Sequence, residues 1–326
     1  MNVKSELQHI KILNYTTLSE AQYQCIPLTY RIYGQPLHSA PIVLVNHALT
    51  GNSEVSGKLG WWRELIGEAK LIDTRIYTVL AFDIPGNGST DFIIENYKDF
   101  TARDIAILFS RGLKELDISS LHTAIGGSLG GAIAWEMAAL YPKVIKNLIP
   151  IASDWKATDW LMANCLIQDQ ILNNSSEPIH DARLHAMLCY RSPQSFKAKF
   201  NRTINKEKEI FNVESWLFHH GEKLQERFQL QAYKLMNQLL ASIDISKERS
   251  SFLEVAGNIE SNIHIISVNS DLFFTETEDR ETYDVLSVVK DNIFHKTIKS
   301  IHGHDAFLIE FEQLSKLLKE VFKQQI

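Results

Sequence analysis

Residues 121–131 decide the fold of this chain and read Leu-His-Thr-Ala-Ile-Gly-Gly-Ser-Leu-Gly-Gly. The apolar run 121–125 has the length of a buried strand, and residues 129–140 place apolar side chains at the spacing of one helix face. A glycine-rich turn that contains Ser128 joins the two. We therefore predict a strand, a sharp turn and a helix in direct succession.

This arrangement predicts that Ser128 is a nucleophile. Gly126-Gly127-Ser128-Leu129-Gly130 fits the pattern G-x-S-x-G, in which small neighbours let the serine adopt a strained backbone angle. The N-terminus of the following helix directs unpaired N–H groups toward developing negative charge. The alternative is a glycine-rich turn without a catalytic function. The glycine spacing does not fit a dinucleotide motif, and no Gly-Lys-Ser/Thr follows to form a phosphate loop.

A serine hydroxyl reacts only when a base takes its proton and an acid orients that base. In strand–turn–helix sites of this kind the order along the chain is serine, acid, histidine. Asp271 follows the predicted strand 263–268, and His304 follows the predicted strand 296–301. Since functional groups gather at the carboxyl edge of such a sheet, we predict Asp271 as the acid and His304 as the base.

Other side chains compete for these two roles. His302 is the rival base, and His304 is favoured because it lies between a glycine and an apolar helix. Asp279 and Asp291 are interpreted as solvated helix charges. A metal site at His302 and His304 is not predicted, because no carboxylates or cysteines accompany them at ligand spacing.

The oxyanion of an acyl-transfer intermediate needs two N–H donors. The loop 46–51 follows the predicted strand 41–46, and its backbone N–H at Leu49 is our candidate, together with that of Leu129. His47, in the same loop, is interpreted as structural in preference to a second base.

The remaining pattern predicts an α/β fold with a mostly parallel central sheet covered by helices on both sides. Between residues 155 and 250 the pattern becomes helical, and strands return afterwards. We therefore divide the chain into a first core part (1–154), a helical cap insertion (155–250) and a second core part (251–326). The remaining predicted strands are 24–33, 76–83 and 147–152, and the remaining predicted helices are 101–116, 281–290 and 308–323.

Composition excludes several classes of protein. The 326 residues are 45% hydrophobic and 22% charged with a net charge of −6, which permits a sizeable core and gives no general attraction to nucleic acid or anionic lipid. Three scattered cysteines indicate a reducing compartment. No segment is long and apolar enough for a bilayer, and residues 1–13 lack a secretory apolar stretch. We predict a soluble cytoplasmic protein.

Several motifs together resemble the homoserine O-acetyltransferase family, which has the α/β-hydrolase fold and acts in methionine biosynthesis. The resemblance covers about residues 41–322. It is carried by His47-Ala48-Leu49-Thr50-Gly51, Gly60-Trp61-Trp62, Gly126 to Gly131, Ala182-Arg183, Tyr190-Arg191-Ser192, residues 196–202 and 221–228, Ser270-Asp271-Leu272-Phe273 and Gly303-His304-Asp305-Ala306-Phe307-Leu308.

The resemblance implies a ping-pong acyl transfer. Ser128 would take an acetyl group from acetyl-CoA, and the homoserine hydroxyl, deprotonated by His304, would then take it from the serine. Asp305 matches the contact to the acceptor amino group. Arg183 matches the arginine that binds the acceptor carboxylate, and Arg191 is the alternative residue for that role. A salt bridge on the helix surface is the purely structural interpretation of Arg183. The family also implies no permanently bound cofactor, a cap that limits water, and a homodimer formed through that cap.

The chain departs from the family in three places. Residues 83–90 resemble a general α/β-hydrolase loop where the family has a Gly-rich loop with a cysteine, Leu129 stands where Met is common, and the chain is somewhat short. Succinyl-CoA as donor, serine as acceptor and an esterase activity therefore remain open as alternatives. A scaffold without catalysis is disfavoured, because it has no need of Ser128, Asp271 and His304 together.

Overall fold

A computed structural model describes residues 5–323, so the first four and last three residues of the two predicted core parts lie outside it. Its central sheet has eight strands in the order β1-β2-β4-β3-β5-β6-β7-β8. They are β1 Gln8–Thr16, β2 Gln22–Gly34, β3 Ile42–Asn46, β4 Thr78–Phe82, β5 Leu121–Gly127, β6 Ile145–Ile151, β7 Asn262–Val268 and β8 Ile293–Ile298.

The sheet is mostly parallel. Only the β1–β2 and β2–β4 pairs are antiparallel, and every other neighbouring pair runs parallel. All five residues of β3 and of β4 are buried, as expected for parallel strands covered on both faces. The predicted α/β class with a mostly parallel central sheet is therefore confirmed.

Helices cover both sides of the sheet and fill the stretch between β6 and β7. They are α1 Ala102–Glu115, α2 Leu129–Leu140, α3 Asp159–Asn174, α4 Pro178–Tyr190, α5 Pro193–Phe200, α6 Asn212–Gln225, α7 Leu230–Ala241, α8 Phe252–Gly257, α9 Glu276–Ser287 and α10 Phe311–Leu318. Short 3₁₀ segments occupy Tyr97–Asp99 and Gly303–Leu308, the second of which carries His304.

Sequence patterns missed β1 and displaced the last elements. In β1 only Ile12 and Tyr15 are buried, so alternation is too weak to see. The Tyr15 hydroxyl donates to Asp104 Oδ1 at 2.8 Å, which attaches this strand to the capping box of α1. Strand β8 starts and ends three residues earlier than predicted, and α9 starts five residues earlier than predicted. Helix α10 starts three residues later than predicted, because a 3₁₀ segment precedes it.

The helical stretch α3–α7 leaves the core and returns to it at one place. Ala157 N–H donates to Ile243 O at 2.7 Å, and Ile245 N–H donates to Trp155 O at 3.1 Å. Residues 158–242 are therefore joined to the core through a closed base. We refer to α3–α7 with their connections as the cap.

A buried ion pair holds the segment that returns from the cap to the core. The Arg103 guanidinium on α1 donates to Glu136 on α2 at 3.1 Å and to the carbonyl oxygens of Asp244 and Lys247 at 2.8 Å each. Burial raises the pKa of Glu136, and the charges of Arg103 and Arg249 oppose that shift. This cluster joins α1 and α2 to the segment that follows the cap.

Within residues 5–323, every helix is too short or too polar to cross a bilayer. The three cysteines are free thiols, of which Cys25 is exposed and Cys165 and Cys189 are buried in the cap.

Candidate active site

Ser128 makes a sharp turn between β5 and α2 at the carboxyl edge of the sheet. Its backbone has φ 55° and ψ −128°, a conformation that costs on the order of 1–3 kcal/mol for a residue with a side chain. Its N–H donates to Ile151 O at 2.9 Å, and the residue is 3% exposed. A Cβ on Gly126 would collide with the backbone of Gly130, so this close turn requires glycine.

Asp271 and His304 are hydrogen-bonded to each other. Imidazole Nδ1 lies 2.7 Å from Asp271 Oδ2, and both side chains are buried. The other carboxylate oxygen accepts the N–H groups of Phe273 and Phe274 at 2.7 and 3.0 Å, which fixes its orientation. Since an ionised carboxylate only accepts, Nδ1 carries the proton and Nε2 is left as the basic nitrogen.

Phe307 contacts both the serine turn and the imidazole. A Cβ on Gly127, the residue before Ser128, would collide with the Phe307 ring. The same ring lies 5.5 Å from the His304 ring, centroid to centroid. The Trp62 indole N–H donates to Phe307 O at 3.2 Å and holds this segment in place. One aromatic side chain therefore packs against both halves of the predicted catalytic set.

Aromatic rings surround His304 on several sides. The centroids of Tyr190, Phe273, Phe274 and Phe307 lie between 5.2 and 5.7 Å from the imidazole centroid. Such an enclosure restricts ring rotation and limits the access of water to the imidazole nitrogens. Sequence patterns assign no role to Tyr190 or to these phenylalanines, although Tyr190, Phe273 and Phe307 lie inside the motifs that carry the family resemblance.

The two predicted oxyanion donors lie on segments that pack together. A Cβ on Gly130 would collide with Asn46 O, and the Asn46 side chain donates to Gly130 O at 3.2 Å. Leu49 and Leu129 are both buried. Across the described part of the chain, neither of their backbone N–H groups has a hydrogen-bond acceptor. Two buried amides without partners indicate a place prepared for an oxygen atom.

His47 ties two loops together. Its Nδ1 lies 2.8 Å from Ala48 O, and its Nε2 accepts the N–H of Ile84 at 3.0 Å. Burial lowers the pKa of His47, so the ring is neutral with its proton on Nδ1. Both nitrogens are occupied, which supports the structural interpretation of this residue over that of a second base.

Asp305 and two arginines lie beside His304. Arg191 Nε is 2.9 Å from Asp305 Oδ2. The Arg183 guanidinium lies 5.5 Å from the centroid of the Tyr190 ring, and no carboxylate pairs with it among the described residues. Burial raises the pKa of Asp305, and the charges of Arg191 and Arg183 oppose the shift. The helix-surface salt bridge considered for Arg183 is absent from residues 5–323, and the salt-bridged arginine is Arg191.

His302 has a different environment from His304. Its Nδ1 lies 3.3 Å from Arg191 Nη1, and its side chain makes no hydrogen bond to Asp271 within the described residues. The structure therefore pairs Asp271 with His304.

Two further acids are buried near the site. Asp154, directly after β6, accepts the Trp155 N–H at 2.7 Å and the Thr282 hydroxyl at 3.1 Å. Burial raises its pKa to about 7, and burial together with the Asp154 charge also raises the pKa of Asp279. The interpretation of Asp279 as a solvated charge is therefore wrong, since it is 1% exposed, whereas Asp291 is exposed. Helical spacing could not show that Asp279 faces the core.

One group of side chains has the geometry of a metal site. Ligand atoms of Glu177, His180 and Asp181, at the start of α4, lie within 4.8 Å of one another. His180 and Asp181 already pair at 2.9 Å, and Ser175 donates to the remaining Asp181 oxygen. The group is separate from Ser128, Asp271 and His304, and nothing further indicates a bound ion.

A small cavity lies between the cap and the core next to this site. It has a volume of about 10 Å³, roughly that needed by one water molecule. Leu49 and Phe273 line it from the core, and Cys165, Cys189 and Tyr190 line it from the cap. Burial raises the pKa of both cysteine thiols, which makes them unreactive apolar walls.

Comparison with known proteins identifies the family. A family model described as the alpha/beta hydrolase fold matches residues 41–202. Homoserine O-acetyltransferase from Chloroherpeton thalassium is 32% identical over 91% of this chain and 84% of the relative.

Solved structures agree in fold. Homoserine O-acetyltransferase from Bacillus anthracis has a TM-score of 0.88 at 19% identity and covers 98% of both chains. Esterase E22, solved as an L374D mutant, has a TM-score of 0.87 at 16% identity over 98% of this chain and 100% of its own. Likeness at this identity shows the α/β-hydrolase fold alone. From the similarity over nine-tenths of its length, the chain belongs to the homoserine O-acetyltransferase family and is an enzyme of that type.

Proposed function

We propose that this enzyme transfers an acetyl group from acetyl-CoA to the side-chain hydroxyl of L-homoserine by a ping-pong mechanism. The observation that carries the proposal is the hydrogen-bonded Asp271–His304 pair packed, through Phe307, against a strained serine turn. Ser128, His304 and Asp271 act as nucleophile, base and orienting acid.

In the first half-reaction, His304 Nε2 takes the proton of Ser128 Oγ while Oγ attacks the thioester carbonyl carbon. The carbonyl oxygen becomes an oxyanion, and the unpartnered N–H groups of Leu49 and Leu129 stabilise it. The C–S bond then breaks, the imidazolium returns its proton to the sulfur, and CoA leaves an acetyl-serine ester behind.

In the second half-reaction, the homoserine hydroxyl replaces CoA. His304 takes the hydroxyl proton, the hydroxyl oxygen attacks the acetyl-serine, and Ser128 leaves with that proton. Arg183 is our candidate for the acceptor carboxylate, because it is half-buried and no carboxylate of the described chain pairs with it. Asp305, held by Arg191 at 2.9 Å, contacts the amino group.

Hydrolysis of the same acetyl-serine is the competing reaction. The cap suppresses it by limiting water: its Tyr190 covers one side of His304, and the cavity beneath it, of about 10 Å³, has room for about one water molecule. This accounts for acyl transfer by a protein whose fold is shared with esterases.

Thiol release measures the proposed reaction directly. We expect the protein to release free CoA from acetyl-CoA at a rate that depends strongly on homoserine. A panel of acetyl- and succinyl-CoA against homoserine and serine should show its highest rate with acetyl-CoA and homoserine. Turnover of a generic ester such as p-nitrophenyl acetate without any dependence on an amino acid would instead identify a hydrolase.

We further propose that the enzyme forms a homodimer through the cap. Four large apolar side chains of α3 are more than 40% exposed, namely Trp160, Met162, Leu166 and Ile167. Exposed apolar surface on one element is typical of an interaction surface.

Light scattering should give the mass of two chains, and Leu166→Glu should raise the dimer dissociation constant at least about 100-fold, because it places a charge in an apolar interface. Leu59→Glu, at an exposed leucine outside the cap, is the control; a wild-type monomer would refute this proposal.

A further inference from the structure

The most basic segment of the chain begins beside the catalytic histidine loop. Residues 191–208 contain six lysines and arginines and one acidic residue, in a chain whose net charge is −6. They comprise the connection that follows α4, all of α5 and the first strand and turn of the hairpin formed by Ile204–Asn205 and Ile210–Phe211. We call residues 191–208 the basic arm.

Five cations of the arm have no acidic partner. They are Lys197, Lys199, Arg202, Lys206 and Lys208, all exposed. No carboxylate of residues 5–323 lies within 4.0 Å of any of them, although Glu207, Glu209 and Glu214 are close in sequence. Lysines elsewhere on the surface do pair, as Lys70 does with Glu64 at 3.0 Å. Like charges gathered without partners repel one another, so an external anion would relieve them.

The arm is attached to the loop that carries His304. The Ser192 hydroxyl donates to Ile301 O at 2.5 Å, and Arg191 pairs with Asp305. A Cβ on Gly303 would lie 3.0 Å from the Arg191 backbone, so the two segments are in close contact. Helix α5, about 12 Å long, then carries the arm away from this point. The exposed cations therefore lie along α5 and just beyond it, and α5 begins next to the loop that carries His304.

Aromatic rings lie between the cations. Lys199 Nζ is 5.7 Å from the Trp216 ring centroid, and Arg202 Cζ is 5.3 Å from that of Phe211, which is itself 38% exposed. Flat rings beside cations suit a ligand that joins an aromatic base to phosphates, because the base can stack while the phosphates pair with the cations.

Positive charge continues from the arm to the site. The Trp216 and His220 rings are 4.3 Å apart, centroid to centroid. Burial lowers the pKa of His220 to about 4, with further contributions from Arg183, His219 and Arg191. His220 is therefore neutral at pH 7, and the arginines around it supply the positive potential.

The loop 83–90 offers no comparable anion site. Asp83 is 2% exposed, and its carboxylate accepts hydrogen bonds from Thr29 and from the backbone and hydroxyl of Ser53 at 2.7–2.9 Å. A Cβ on Gly86 would lie 2.9 Å from Leu235 of α7, so the loop is closed against the cap. The one charged side chain of this loop, Asp83, is negative and already accepts hydrogen bonds from Thr29 and Ser53.

We propose that the basic arm binds the nucleotide end of acyl-CoA, with its exposed cations paired to the diphosphate and ribose phosphate and its aromatic rings against the adenine. The assignment rests on the acyl transfer proposed for Ser128. The pantetheine chain would then run along α5 toward Arg191 and the thioester would reach Ser128.

Charge reversal tests the arm. In Lys199→Glu/Arg202→Glu, the KM for acetyl-CoA should rise at least about tenfold at low salt, the equivalent of losing about 1.4 kcal/mol of binding. The KM for acetyl-pantetheine, a thioester without the nucleotide, and the KM for homoserine should stay unchanged. Calorimetry with CoA alone should show the same loss of affinity. The wild-type KM for acetyl-CoA should also increase with ionic strength more steeply than that of the variant.

Lys11→Glu/Lys114→Glu is the matched control, since it makes the same change of net charge at exposed lysines of β1 and α1. An unchanged KM for acetyl-CoA in the arm variant, or an equal rise with acetyl-pantetheine, would overturn the assignment while leaving acyl transfer intact. Failure of the wild-type protein to use any acyl-CoA would instead remove the proposed function itself.

Discussion

Replacing Ser128 with alanine should lower kcat for acyl transfer by about 10⁴-fold or more, because no oxygen remains to attack the thioester. The protein should remain folded. Alanine carries a Cβ just as serine does, so it experiences the same strain at φ 55°, and no hydrogen bond of the folded chain uses the Ser128 hydroxyl within the described residues. Thiol release from acetyl-CoA and thermal unfolding measure the two effects.

The control for this variant is Ser287→Ala at the end of α9, where the hydroxyl donates only to Asp284 O at 3.0 Å. It should leave kcat unchanged. An alanine variant at Ser128 that kept more than a tenth of the wild-type rate would show that acyl transfer passes directly between the two substrates without an acyl-serine. Mass spectrometry of the wild-type protein after acetyl-CoA alone should show one added acetyl group on Ser128.

Asp271→Asn should lower kcat by about 10³- to 10⁴-fold. The amide oxygen of asparagine can still accept the N–H groups of Phe273 and Phe274, so the turn keeps its shape. Its NH₂ group, however, donates toward His304 Nδ1, which moves the imidazole proton to Nε2 and leaves no base facing the serine. The KM for homoserine should change little, because Asp271 is not among the groups assigned to the acceptor.

Asp291→Asn, at an exposed position before β8, is the matched control and should retain full activity. Substantial activity in Asp271→Asn would transfer the role of the acid to Asp154, which follows the neighbouring strand β6 and is also buried. Asp154→Asn separates these cases: it should be active if Asp271 orients His304 and inactive if Asp154 does.

Local sequence was sufficient to predict an element wherever its formation depends on residues close together in the chain. The strand, glycine turn and helix around Ser128 formed as predicted, and the collision that a Cβ on Gly126 would meet lies within the turn itself. Gly127 and Gly130, by contrast, leave room for Phe307 and Asn46 of distant segments. Helix α1 also formed where predicted, to within one residue at each end, and its capping box lies within four residues. Strand β1 was not, since its two buried residues depend on packing against α1, about ninety residues later.

The sequence by itself determined the fold class, the family and the identity of Ser128, Asp271 and His304 as candidates, because each lies in a motif that periodicity or resemblance can show. Only the tertiary structure decided that Asp305 pairs with Arg191, that Arg183 is left without a carboxylate partner among residues 5–323, and that Asp279 is buried. These facts depend on which side chains meet across distant segments, and the free energy of a charge is set by the partners and solvent around it, which no local pattern of residues contains.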